Sequence, residues 1–162
     1  MIILACDSGV ERTGYAVFDT HNGKHELLAY DCIFTHKNDR LEVRLMHIQE
    51  AIQKLIDTYH PERCVLERLF FSKNVTTGIM VAQSQGAVMA LVASHGIELD
   101  FLTPQEIKMT LTGYGSSDKK SVQKMVKILL HLDEIPQPDD TADAVACGLT
   151  YCTMRAFHDR QT

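Results

Sequence analysis

The order of strand and helix signals along this chain leaves few folds open. Three apolar runs follow one another with only short polar breaks: MIILACD, closed by Asp7; GYAVFD, after a turn bracketed by Gly9 and Gly14; and LLAYDCIFT. Strands so closely spaced suggest an antiparallel meander. Beyond them, helix and strand patterns alternate. Leu41, Leu45, Ile48, Ile52, Leu55 and Tyr59 recur at intervals of three and four, the apolar stripe of a helix over about 40–59, with Pro61 just past its end. RCVLE (63–67) reads as a short buried strand ending on an acid. Residues 75–95 read as a second helix and ELDFL as a fifth strand. TPQE opens a third helix, with Thr103 as cap, Pro104 at the first helical position and Glu106 closing a capping box. DKKSVQKMVKILLHL predicts a fourth helix with Val122, Met125, Val126, Leu129 and Leu130 inward, and a last helix covers about 140–158. Helices placed between strands make some of those strands parallel. The pattern predicts an α/β fold: a mixed five-stranded sheet flanked by helices, one domain over 1–158 with a short tail at 159–162.

Composition excludes several classes. The chain has 162 residues, 45% hydrophobic and 23% charged, which is ordinary for a globular protein. No unbroken run of about eighteen apolar residues occurs, so no membrane-spanning helix is expected. The start, MIILACDSG, lacks the basic leader of a signal peptide. The five cysteines are odd in number and form no CxxC pair, which points to buried thiols in a reducing, cytoplasmic setting. The histidines show no zinc-ligand spacing. Formal charge is −5, yet over 101–130 the bases Lys108, Lys119, Lys120, Lys124 and Lys127 outnumber Glu106 and Asp118. Lys119 follows the glycine-rich loop GYGSS at a helix start, where a cation opposes the helix dipole and an anion nearby would explain it. Lys124 and Lys127 read as a solvated face. In the second helix Gly78, Ala82, Gly86, Ala87 and Ala90 permit close packing, either in the core or at a shared dimer face.

Four acids stand out. Asp7 and Glu67 each end an apolar strand. Asp140 and Asp143 are three apart at a helix start and so share a face. Asp139, just before them, suits the orphan amides of a helix N-terminus. If the two strands are neighbours, all four carboxylates meet at one sheet edge. Burying such a group uncompensated is costly, and mutual repulsion raises the pKa values. A divalent cation resolves both problems, and an all-oxygen site suits Mg²⁺ or Mn²⁺. Two such ions can clamp a phosphodiester, one activating water and the other stabilising the leaving oxygen.

ACDSGVERTGYAVF, LERLFFSKN, AQSQGAV, TPQEIKMTLTGYGSSDKKSVQKMV and PDDTADAVA together resemble the RuvC family of bacterial Holliday-junction resolvases over nearly the whole chain. LERLFFSKN and PDDTADA are specific in combination. Ser8 stands where the family usually has Pro and Ala16 where Gly is usual, while Ala5 and Cys6 replace a common Gly-Ile. The resemblance implies an RNase H-like fold and a structure-specific endonuclease that cuts four-way DNA junctions symmetrically, leaving ligatable 5′-phosphate and 3′-hydroxyl ends. It implies that Asp7, Glu67, Asp140 and Asp143 are metal ligands, with two Mg²⁺ per site or Mn²⁺ in their place. Lys119 then joins the catalytic set, and Lys108 and Lys119 match lysines near the DNA backbone or active site. Phe70 matches an aromatic at the junction core, with Phe71 beside it. Arg68, Lys73 and Lys120 are further candidate DNA contacts. A homodimer, coupling to the branch-migration proteins RuvA and RuvB, and no membrane association complete the expectation. The rival readings are an RNase H-like nuclease for another nucleic acid and a junction binder that does not cut.

Overall fold

The structure is a computed structural model that describes residues 1–21, 23–69 and 75–158, of which 75, 76 and 158 by backbone only. Its strands are β1 (Ile2–Ser8), β2 (Arg12–His21), β3 (Lys24–Phe34), β4 (Arg63–Glu67) and β5 (Glu98–Leu102). They form one sheet in the order β3-β2-β1-β4-β5. The first three strands pair antiparallel, as their short connections demand. β4 runs parallel to β1, and β5 parallel to β4. The chain reaches β4 through helix α1 (Leu41–Tyr59) and β5 through α2 (Val75–Ser94), and it continues into α3 (Pro104–Thr112), α4 (Lys119–Leu129) and α5 (Asp139–His158).

Strand periodicity sorts the core into two layers. Ile3, Ala5, Ala16, Phe18 and Val65 pack with residues of α3, α4 and α5, including Ile107, Val126 and Val145. Leu4, Cys6, Val17, Cys64 and Leu66 pack with α1 and α2 through Ile48, Ile52, Val88 and Val92. β1 is covered on both faces, which explains its unbroken apolar run. Phe18 is fully buried, worth roughly 2–3 kcal/mol against exposure.

Parity then fixes the direction of the acids. Asp7 is two residues beyond Ala5, and Glu67 two beyond Val65, so both belong to the layer of α3, α4 and α5. The register Cys6 to Leu66, continued one step, brings Asp7 level with Glu67. Across β1, Asp7 pairs with Gly14. α5 crosses the sheet at that point: a Cβ added to Gly14 would lie 1.9 Å from the Asp140 carbonyl oxygen. Only glycine admits the helix so close, and the contact sets the first turn of α5 over Asp7.

Thr103 and Glu106 form the expected capping box, with Pro104 in the first turn of α3. Other details differ from expectation. α1 buries Arg44 and Ile56 along with Ile48 and Ile52, and Arg44 is held by a 2.8 Å hydrogen bond from its Nε to Thr35 Oγ1. α4 ends at Leu129, followed by His131 at φ 52°. Leu129, the last residue of α4, is 47% exposed where an inward position was expected. α2 is long and apolar enough, by length and composition, to cross a membrane: Thr77–Ser94 has a mean hydropathy of 1.2 and 22% of that window is buried. The contrary expectation rested on the Thr, Ser and Gln residues that interrupt the stretch.

Candidate active site

Asp7, Glu67, Asp140 and Asp143 are brought into one electrostatic cluster. Burial pushes the Asp7 carboxyl up to about 7, helped by the charges of Asp143, Glu67 and Asp140 and opposed by Lys119. Burial and then Asp143 raise Glu67, while Lys119 and Lys108 oppose the shift. Burial also raises Asp143, against the pull of Lys119. The acids are thus close enough to repel one another and dry enough for that to matter.

Two cations touch this cluster. Lys119 Nζ, at the start of α4, donates to Asp143 Oδ2 at 2.7 Å and lies 3.3 Å from Asp139 Oδ2. Its own desolvation favours the neutral amine, but its contacts with Asp143 and Asp139 outweigh this and its pKa rises. Arg12 Nε, on β2, sits 3.0 Å from Asp140 Oδ2. Among the described residues, however, that buried oxygen accepts no hydrogen bond. Among the described residues no three acids converge at metal-ligand distance. Asp140 and Asp143 are instead turned to Arg12 and Lys119. The donor set nevertheless fits a hard divalent cation. It is all carboxylate oxygen, Asp7 and Glu67 end the neighbouring strands β1 and β4 beside the start of α5, and one buried oxygen has no hydrogen-bond partner among the described residues.

Asp7, Glu67 and Asp143 open onto two clefts that share Glu67 and Pro104. One, of about 240 Å³, is lined by Lys108, Lys119, Val122 and Asp143, with Pro104, Ile107 and Ala146. The other, of about 230 Å³, is lined by Asp7, Ser8, Arg68, Leu69, Gln85 and Pro104. The expected residues Lys108, Lys119 and Arg68 therefore border the acids, and Arg68 also lies 5.9 Å over the Phe101 ring. Lys120 is exposed and lines neither cleft. Phe70, Phe71 and Lys73 lie outside the described residues, as does the 159–162 tail. Sequence reasoning missed Arg12, and it missed Gln85, whose Nε2 donates to the Glu67 carbonyl at 2.9 Å and ties α2 to the end of β4.

Residues 3–151 match the family model described as crossover junction endodeoxyribonuclease RuvC. The chain belongs to the RuvC family. It is 39% identical over 157 residues to the crossover junction endodeoxyribonuclease RuvC of Brevibacillus brevis, covering 97% of this chain and 95% of that one. With the Finegoldia magna RuvC it shares 41% over 151 residues, covering 93% and 92%. Among solved structures it is similar to T. thermophilus RuvC in complex with Holliday junction substrate: 27% identity, TM-score 0.88, covering 96% of this chain and 97% of that chain. The mixed sheet is thus the RNase H-like fold of RuvC, and RuvC membership carries divalent-metal dependence.

The raised carboxyl has a consequence for stability. Asp7 is above its ordinary value of 3.8 when folded. Between about pH 4 and 7 the folded state therefore binds more protons than the unfolded chain, and stability falls as pH rises through that window. With EDTA present, the thermal midpoint is expected to drop between pH 5 and pH 8. The change at Asp7 is on the order of 2–3 kcal/mol, or about 5–10 °C. Calorimetric melts of parent and Asp7→Asn check this, and the variant should lose most of the drop.

Proposed function

We propose that this RuvC-family enzyme resolves four-way DNA junctions by hydrolysing one phosphodiester in each of two opposed strands, leaving 5′-phosphate and 3′-hydroxyl ends. One observation carries the reading: carboxylates from β1, β4 and α5 gather at the ends of two parallel strands, where a lysine and two clefts adjoin them. Open sheets bind ligands at that end of parallel strands.

Asp7, Glu67, Asp140 and Asp143 hold Mg²⁺, or Mn²⁺ in its place, with two ions per site. When bound, such ions acidify water and neutralise charge on the phosphate oxygens. Lys119 supplies a positive charge beside Asp143, suited to the extra charge of the transition state. Lys108 on the wall of the same cleft, Arg68 at the other and Lys120 one residue further along α4 hold backbone phosphates, which orients the DNA without reading sequence. Phe70 and Phe71 stack on unpaired bases at the crossover, with Lys73 on phosphate.

Symmetric cutting requires two sites, which a C2 homodimer supplies. α2 supports one. Its inner face is fixed to the sheet layer by Val88 and Val92 and by the Ser84 Oγ hydrogen bond to the Gly9 carbonyl at 3.2 Å. Its outer face carries Ile79, Gly86 and Ala90, apolar and small enough for another helix to approach closely. Those inner contacts also argue against the helix leaving for a membrane. The five free, buried cysteines agree with a cytoplasmic setting, and coupling to RuvA and RuvB follows as a family expectation.

The test compares a mobile four-way junction, an RNA–DNA hybrid and single-stranded DNA under Mg²⁺. Paired, symmetric, ligatable nicks in the junction, abolished by EDTA, are expected. Preference for the hybrid, or binding without cutting, contradicts the proposal.

A further inference from the structure

Asp139 plays no part in the metal set, and as a helix N-terminal acid it needs no other explanation. Its contacts go further. Asp139 and Asp143 are four apart on α5, and Lys119 and Gln123 are four apart on α4, so each pair presents one face to the other. Lys119 Nζ lies between the acids, 2.7 Å from Asp143 Oδ2 and 3.3 Å from Asp139 Oδ2. Gln123 Nε2 donates to the second Asp139 oxygen at 3.1 Å and fixes its carboxylate. The acids differ in setting: the Asp143 side chain is 29% exposed and that of Asp139 60%.

The same Asp143 oxygen cannot serve Lys119 and a divalent cation equally well. A lysine that leaves Asp143 with no second partner goes into solvent, and its charge leaves the site. An ammonium has three protons to donate and can hold two acids at once. We infer that Asp139, braced by Gln123, is a positioning residue that retains Lys119 at the active site when a divalent cation takes Asp143. The inference rests on the metal-binding reading above and extends it to a residue outside the ligand set.

Lys119 must then link Asp139 to metal affinity. Without Asp139 the lysine has Asp143 as its remaining acid partner and yields it less readily. Mn²⁺ binding is measured by electron paramagnetic resonance on the parent, Asp139→Asn, Lys119→Met and the double variant, with thermal midpoints recorded in parallel. Asp139→Asn is expected to weaken Mn²⁺ binding about threefold to fivefold in the presence of Lys119, the scale of an exposed ion pair. In the Lys119→Met background the same change should have little effect, because the lysine it acts through is gone. Asp139→Glu should restore most of the loss. The cycle cancels any general loss of helix stability or of negative charge. Equal weakening in both backgrounds, or no weakening in either, overturns the inference while leaving the metal site standing. A parent that binds no Mn²⁺ overturns both.

Discussion

An Asp7→Asn variant is expected to lose junction cleavage by at least about a thousandfold, roughly 4 kcal/mol of transition-state stabilisation, while still binding the junction. Asp7 is the carboxylate that feels Asp143, Glu67 and Asp140 together, so it lies at the centre of the cluster. Asn keeps the shape and removes the charge that a hard cation needs. The fold does not depend on that charge, because an ionised Asp7 is a burden in the absence of a cation. DNA affinity comes mainly from lysines and arginines on phosphate, and these are unchanged. Single-turnover cleavage and gel retardation separate the two effects. Activity within about tenfold of the parent would remove Asp7 from the reaction.

Gly14→Ala is expected to damage both stability and cleavage, although residue 14 bears no chemistry. Its added carbon would meet the Asp140 carbonyl oxygen at 1.9 Å, the carbonyl carbon at 2.3 Å and the Thr141 nitrogen at 2.8 Å. All three are backbone atoms, so no side chain can swing aside. The start of α5 must lift by roughly 1.5 Å to restore van der Waals contact. Overpacking of this kind costs about 1–3 kcal/mol. Asp140 rides on the displaced turn and Asp143 follows directly after it, and misplacement of that size lowers catalysis on the order of a hundredfold. Denaturant unfolding and cleavage rates check the two halves. Parent-like values in both would mean that α5 tolerates movement, and that its close seat on β2 does not position the site.

Much of this was legible in the sequence because the signals were local or periodic. The run MIILACD reads as a buried strand, and an acid ending such a run draws notice. Thr103, Pro104 and Glu106 announce a helix start within four residues. Parity places Asp7 and Glu67 on one face only once β1 and β4 are known to be neighbours, and that adjacency is a tertiary fact. The Arg12–Asp140 pair carries no sequence signal, since it joins a strand to a helix more than a hundred residues away. The i, i+4 spacing of Asp139 and Asp143 is visible, as is that of Lys119 and Gln123. That the two pairs face one another is decided by how α4 packs on α5. α2 hid its exposed face for a different reason: a helix apolar all round has no stripe to read. Leu129 keeps the helical spacing but lies at the end of α4, and periodicity does not reveal where a helix stops.

The central claim is that the strand-end acids Asp7 and Glu67 and the α5 acids Asp140 and Asp143 together form a divalent-cation site. Calorimetric titration of Mn²⁺ into the DNA-free protein near neutral pH tests it without any substrate. The account predicts saturable binding by the parent, with release of protons from the raised carboxyls, and at least about tenfold weaker binding by Asp7→Asn. Equal binding by parent and variant, or no saturable binding by the parent, would contradict it.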